Sequence, residues 1–105
     1  MDDLLNLNGI KVPPDGLEQE IKAALPVSDA CLVEIFAADQ GPQVWLVFVP
    51  DQDLEFAEIR TRLRQSVSHD LSSALLYKVP GLPKTSSGKI KRAEVRQHLR
   101  TLKQP

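Results

Sequence analysis

Residues 44–49, Val44-Trp45-Leu46-Val47-Phe48-Val49, form an unbroken apolar run. A strand that is apolar at both odd and even positions is typical of a sheet covered on both faces. The run therefore predicts a central strand with helices packed on it. The segment before it, residues 30–37, is predicted to be a second strand, and Asp39-Gln40-Gly41-Pro42 between the two is typical of a turn.

Three further segments show the spacing of apolar residues that is typical of an amphipathic helix. The inward residues are Leu17, Ile21, Ala24 and Leu25 in the first segment, Phe56, Ile59, Leu63 and Val67 in the second, and Val95, Leu99 and Leu102 in the third. We expect Glu18, Gln19 and Lys22 on the outer face of the first helix. Residues 50–53 are expected to cap the second.

The remaining elements are a hairpin at the N-terminus and one short strand. Residues 4–12 alternate around Asn8-Gly9, the strongest local hairpin signal, and Ile10 with Val12 resumes an apolar face. Residues 75–80 predict an edge strand, because their final proline could not lie in a central strand. The order predicts an α+β domain: an N-terminal β-hairpin followed by a small, mainly three-stranded sheet packed with about three helices.

Length and composition limit the class of protein. A chain of 105 residues is one domain, and a single cysteine, Cys31, excludes an internal disulfide and is expected in the core. No apolar stretch approaches a membrane span and the acidic start differs from a signal peptide, so we expect a cytoplasmic protein. The tail from Lys84 onward is strongly basic but has no aromatic residue. Nucleic acid is therefore not an expected partner, since the stacking platforms of single-strand binders are missing.

The loop before the last helix carries the strongest functional signal. Its sequence is Pro83-Lys84-Thr85-Ser86-Ser87-Gly88-Lys89-Ile90-Lys91-Arg92. Pro83 disfavours helix before it, and Gly88 can adopt backbone angles that other residues avoid, so Lys89 lies at the far end of a loop. A phosphate-binding loop is excluded, because Gly81 and Gly88 have the wrong spacing and no hydroxyl follows Lys89 to hold magnesium. Spacing alone leaves open whether the lysines are only solvated charges. Likewise, serines and a histidine-aspartate pair in residues 66–73 lack a nucleophile-elbow pattern, and we expect a helix end and loop there.

Two motifs extend this interpretation. Residues 83–90 with Arg92 resemble the closing motif of the C-terminal domain in the adenylate-forming superfamily, which includes acyl-CoA synthetases, peptide-synthetase adenylation domains and luciferases. Residues 2–12, Asp2-Asp3-Leu4-Leu5-Asn6-Leu7-Asn8-Gly9-Ile10-Lys11-Val12, resemble the motif that opens the same domain. The resemblance implies a hinge remnant at residues 1–3, one subdomain at 4–103 and a tail at 104–105.

The resemblance also implies roles for individual residues. Lys89 is implied as the catalytic lysine of adenylation, and Asp2 as the hinge. The residues implied near the phosphates or nucleotide are Lys11, Lys84, Thr85, Ser86, Ser87 and Gly88. Those implied at the pantetheine tunnel are Asn8, Gly9 and Ile10. No metal ligand is implied. Gly16 stands where the family usually has a glutamate, and the Leu17-Glu18 pair that follows it agrees with the family motif.

The implied function is that of a catalytic subdomain in an acyl-CoA synthetase-like ligase, with fatty acid metabolism as an expected setting. Such an enzyme uses ATP to form an acyl adenylate and then a thioester with coenzyme A or a carrier-protein phosphopantetheine. ATP or AMP and Mg²⁺ would bind mainly to a large N-terminal adenylation domain, acting in cis or in trans, so this chain is not expected to be active alone. The chain begins almost at the implied hinge, which suggests an excised domain or a separate subunit. The alternative is a freestanding, non-catalytic docking module for a carrier protein or a partner adenylation domain.

Overall fold

The structure, a computed structural model, describes residues 4–7, 9–37, 41–69, 71 and 74–102. Within these residues the chain forms five strands and three helices: β1 (Leu5–Leu7), β2 (Ile10–Val12), α1 (Pro14–Ala24), β3 (Val27–Ala37), β4 (Gly41–Pro50), α2 (Phe56–Ser66), β5 (Leu75–Lys78) and α3 (Arg92–Leu102). The predicted α+β class, with a hairpin, a three-stranded sheet and three helices, is confirmed. The implied hinge residue Asp2 and the tunnel residue Asn8 lie outside the described residues, as do Asp70, Ser72, Ser73 and the tail at 104–105.

The three-stranded sheet has the order β3-β4-β5, so the apolar run at residues 44–49 is indeed the central strand. β3 pairs antiparallel with β4, and Leu32 lies opposite Leu46. β5 pairs parallel with β4 and, as predicted, lies at an edge. The parallel pairing requires the chain to cross from one end of the sheet to the other, and α2 makes that crossing.

The sheet separates two apolar clusters, which explains why its middle strands are apolar on both faces. The first cluster joins the hairpin, α1 and α2 to one side of the sheet, and Leu32, Leu46 and Phe48 lie in it. The second cluster joins α3 to the other side through Val95 and Leu99. Successive residues of a strand point to opposite faces, so each strand supplies both clusters in alternation.

The N-terminal hairpin turns between Leu7 and Ile10, as predicted, and Leu5 lies opposite Val12. Gly9 has a φ of 86° at the turn, and its N–H donates a 2.9 Å hydrogen bond to Asn6 Oδ1. Val12 is buried, but the expectation that Ile10 shares its apolar face is wrong, because Ile10 is 58% exposed. The hairpin has only two strands, and it packs on the first apolar cluster through Leu5, Leu7 and Val12.

The start of α2 also departs from expectation. The helix begins at Phe56, and Glu55 at its N-cap makes no side-chain capping bond. Asp51, expected in the cap, instead accepts a hydrogen bond from the Ser28 hydroxyl. None of the helices in the described part of the chain has the length and apolar content needed to cross a membrane.

Candidate functional site

The lysine loop is a small hairpin closed by backbone hydrogen bonds. Lys84 and Ile90 form an antiparallel bridge, and the Lys91 N–H donates to Pro83 O at 2.9 Å. At the tip, the Gly88 N–H donates to Thr85 O at 3.0 Å and the Thr85 N–H to Lys89 O at 2.8 Å. Gly88 has a φ of 91°, in the region that favours glycine. This hydrogen-bond pattern is that of a turn followed by a glycine bulge, so the backbone at Lys89 has one defined direction.

The hydroxyl side chains of the loop support its tip. Thr85 Oγ1 accepts a 3.2 Å hydrogen bond from the Lys89 N–H and lies 3.0 Å from Ser87 Oγ. All four residues from Thr85 to Gly88 are exposed. Two of the three hydroxyls are thus engaged within the loop itself.

The cations of the loop differ in whether they have a partner. Lys84 forms an ion pair with Asp29, a buried residue of β3. Lys91 lies 3.5 Å from Glu94, and Arg92 pairs with acidic residues of α1. Among the described residues, no ion pair or side-chain hydrogen bond involves Nζ of Lys89, which is exposed. Lys89 is therefore the cation that this loop leaves open to solvent.

A groove of about 420 Å³ lies beside the loop. It is lined by Asp15, Glu18, Gln19, Lys22, Asp29, Ala30, Lys84, Gly88, Lys89, Ile90 and Arg92. Most of these side chains are charged, and none is aromatic. The lining carries four basic and three acidic side chains and offers no ring on which a base could stack.

Glu18 and Arg92 form a contact that the sequence analysis missed. Glu18 was expected on the outer face of α1, but it is only 6% exposed. Its Oε1 accepts a 2.5 Å hydrogen bond from Arg92 Nη2, and its Oε2 accepts a 2.7 Å bond from the Leu32 N–H. Burial raises the pKa of Glu18 above its ordinary value, although the Leu32 N–H and Arg92 act in the opposite direction.

The hairpin carries Gly9 and Ile10, which the resemblance assigns to the pantetheine tunnel, and Lys11, which it assigns to the phosphates or nucleotide. Gly9, Ile10 and Lys11 are exposed, and none of them lines the groove beside Lys89. The structure therefore does not bring Lys11 together with the other residues implied near the phosphates, and the exposed hairpin is a surface separate from the groove.

Cys31 and Ser68, two other residues with side chains that could react, have contacts typical of structural residues. Cys31 is fully buried, and burial raises the pKa of its thiol to about 12, as expected for a core residue. Ser68 donates to Glu20 through its N–H and its hydroxyl, at 2.8 and 3.0 Å, and its Oγ lies 3.1 Å from His69 Nδ1. These contacts join the end of α2 to α1, as expected for a helix end.

This α+β domain begins with a hairpin and carries an exposed lysine in a glycine-containing loop. Both features agree with the resemblance to adenylate-forming enzymes. No protein-family model matches the chain. It is 32% identical over 108 aligned positions to the anthranilate–CoA ligase of Pseudomonas aeruginosa, covering 96% of this chain and 21% of that enzyme. It is 29% identical over 102 residues to the acetyl-coenzyme A synthetase of Pseudoalteromonas translucida, covering 92% and 16%.

The fold agrees with these sequence relationships. The ATP-bound MatB structure from Rhodopseudomonas palustris superposes with a TM-score of 0.78 at 23% identity, covering 96% of this chain and 20% of that one. The chain thus spans about a fifth of the length of the proteins it matches. It is related to the acyl-CoA synthetases of the adenylate-forming superfamily and matches a small part of them, consistent with a C-terminal subdomain.

Proposed function

We propose that the chain is the C-terminal catalytic subdomain of an ATP-dependent enzyme that adenylates a carboxylic acid. The observation that carries the proposal is that Lys89 has no acidic partner among the described residues. It is exposed at the tip of a hydrogen-bonded hairpin loop, while the neighbouring cations Lys84, Lys91 and Arg92 have acidic partners. A structural lysine would be expected to share that pairing. A lysine that must meet a negative charge on a substrate needs to be free of it.

In this proposal Lys89 stabilises the charge that develops when a carboxylate attacks the α-phosphate of ATP. Two opposite unit charges about 4 Å apart interact by roughly 4 kcal/mol at an effective dielectric near 20. Realised only in the transition state, that energy corresponds to about a thousandfold in rate. Lys84 and the turn residues Thr85 to Gly88 would lie beside the reacting phosphate. The backbone hydrogen bonds of the loop would hold Lys89 in one orientation.

The nucleotide would be bound mainly by a large N-terminal domain. The groove beside Lys89 has no aromatic side chain among its lining residues, so it fits a carboxylate or phosphate better than a base and ribose. ATP or AMP with Mg²⁺ would therefore be shared with the partner domain, in cis or in trans. The single cysteine, free and buried, fits a cytoplasmic setting.

The exposed hairpin is assigned to the second half-reaction, in which the acyl group passes to a thiol. Gly9 and Ile10 would line the path of the pantetheine arm of coenzyme A or a carrier protein, and Lys11 would lie near its phosphates or those of the nucleotide. Because hairpin and lysine loop are separate surfaces, the domain would have to turn between the half-reactions, with Asp2 as the implied hinge. Such hinges are a few residues that absorb the backbone change.

A fusion protein would test the proposal. The part of the P. aeruginosa anthranilate–CoA ligase that this chain does not match would be joined to the chain, and anthranilate-dependent ATP–pyrophosphate exchange would be measured. We expect Lys89→Ala to reduce exchange about 100- to 1000-fold relative to the wild-type fusion. Lys91→Ala, which removes a paired lysine two residues away, is the matched control and should leave exchange unchanged.

The ligase's own C-terminal segment serves as the positive control for the assay. Equal exchange by the wild-type and Lys89→Ala fusions would contradict the catalytic proposal and favour the docking module. So would a wild-type fusion that is inactive where the ligase's own segment restores exchange.

A further inference from the structure

We propose that Glu18 is a positioning residue for Lys89, acting through Arg92 and the exit of the lysine loop. For its effect on catalysis this inference rests on the proposed function. Its structural part, that Glu18 sets the conformation of the loop, stands independently. Glu18 itself would touch neither substrate nor nucleotide.

Three elements meet at the Glu18 carboxylate. Glu18 lies on α1, its Oε2 accepts the Leu32 N–H of β3, and its Oε1 accepts Arg92 Nη2 at the start of α3. Asp15, one turn earlier on α1, accepts from the same Nη2 at 2.9 Å. One side chain thus joins a sheet edge to a helix that is 74 residues distant in sequence.

Arg92 is close enough along the chain to transmit this restraint. It follows Lys89 by three residues, and its N–H donates to Ile90 O at 3.1 Å. Ile90 packs against the second apolar cluster, and both Lys89 and Arg92 line the groove beside the loop. Only two residues separate Arg92 from Lys89, so a shift of the Arg92 guanidinium would be passed to Lys89 through a short stretch of backbone.

The other end of the loop is held in the same way. Lys84, at its start, pairs with Asp29 of β3, whose carboxylate also accepts a 3.1 Å bond from the Ala30 N–H. Lys89 thus lies between two cations that are both anchored to the α1–β3 side of the domain. An ion pair at each end restrains a loop more than a single one does, because the free end of a singly held loop can still rotate.

Burial makes the Glu18 contact hard to replace. The side chains of Glu18 and Arg92 are 7% and 19% exposed, and Arg92 Nε has no hydrogen-bond partner among the described residues. Removing the Glu18 charge would leave Arg92 with the exposed Asp15 alone. A buried ion pair is weak evidence for stability, since apolar pairs often serve as well, but it does impose one geometry. The decisive measurement is therefore the conformation of the lysine loop and not the stability of the domain.

The first test measures the loop in the isolated chain. Glu18→Gln keeps the shape and an acceptor for the Leu32 N–H but removes the charge, and Glu20→Gln is the matched control on the same helix. The lysines would be labelled by reductive ¹³C-methylation and the backbone with ¹⁵N, with Lys89 assigned by Lys89→Arg. We expect Glu18→Gln to shift and broaden the Lys89 methyl and the Thr85 to Lys89 amide signals. Glu20→Gln should leave them in place.

The second test measures exchange in the fusion protein described above. Glu18→Gln is expected to lower kcat about 10- to 100-fold, with the KM for ATP unchanged, as for a misplaced catalytic group. Asp15→Asn, which removes the more exposed partner, should have a smaller effect. Arg92→Lys keeps the charge but loses the fork, and it provides the same comparison if Glu18→Gln does not fold.

The outcomes separate the two proposals. Unchanged loop signals and unchanged kcat in Glu18→Gln, with a lower unfolding midpoint, would overturn the positioning role and leave a structural pair. Arg92→Lys with wild-type loop signals would do the same. If Lys89→Ala exchanges like the wild type, the proposed function fails, and the loop signals still decide whether Glu18 sets the loop.

Discussion

Two glycines provide a pair of substitutions whose effects on stability should have opposite signs. Gly16 is the third residue of α1, and Gly88 forms the bulge of the lysine loop with a φ of 91°. A Cβ added at either position meets nothing within 4 Å. Changing each to alanine therefore isolates the backbone contribution, because no steric contact is created at either site.

The expected magnitudes follow from the backbone alone. Gly16→Ala should increase the free energy of unfolding by about 0.5–1 kcal/mol, since alanine is a better helix former and reduces the entropy of the unfolded chain. Gly88→Ala should decrease it by about 1–2 kcal/mol, since an L-residue is strained at positive φ. For a domain of this size the two variants should differ in Tm by roughly 7–14 °C.

Urea titration and thermal unfolding followed by circular dichroism would measure both variants against the wild type. Gly88→Asn serves as a control, because asparagine tolerates the left-handed region and should lose less stability than alanine. A gain in stability for Gly88→Ala would refute the assignment of Gly88 to a positive φ. A loss for Gly16→Ala would refute its place in the helix.

Three further predictions concern the core and the carboxyl groups. Cys31, fully buried with a thiol pKa raised to about 12, should react with a maleimide only as fast as the chain unfolds, and labelling at the rate of a free thiol would contradict its placement. Carboxyl ¹³C titration should place the pKa of Glu18 above the ordinary value, because it is buried, and that of Glu20 below it, because Ser68 donates two hydrogen bonds to it. The Glu18 contribution to stability should then be full at low pH and lost as pH rises through its folded pKa, whereas that of Glu20 is lost as pH falls through its own. Leu99→Ala should cost about 2–5 kcal/mol in urea unfolding, while Ile10→Ser, at an exposed site, should change the midpoint little.

Local patterns in the sequence were sufficient for most of the fold. The run at residues 44–49 predicts a strand covered on both faces, and β4 is central because each face has its own apolar cluster. The glycine of the lysine loop was expected to take unusual backbone angles, and it does. The resemblance to adenylate-forming enzymes is confirmed, while the roles of the individual site residues stay predictions.

The errors arose where a residue's environment depends on distant parts of the chain. Ile10 alternates with Val12 as expected, but none of the described residues packs over it closely enough to bury it. Glu18 occupies a polar position of the helix pattern, yet the arrival of β3 and Arg92 buries it. One signal was present in the sequence: the Leu17-Glu18 pair agrees with the family motif, which marks Glu18 as more than a surface residue.

The elements, their order and the loop that carries Lys89 follow from local sequence, because hydrophobic periodicity and glycine conformation depend on near neighbours in the chain. The pairing of the charges, in contrast, depends on how the domain is assembled. Glu18 and Arg92 meet across 74 residues, and the apolar clusters that bring α1, β3 and α3 together also remove the water that would otherwise solvate them. Desolvation and pairing are properties of the assembled domain, so the open cation at Lys89 became visible only once its neighbours' partners were known.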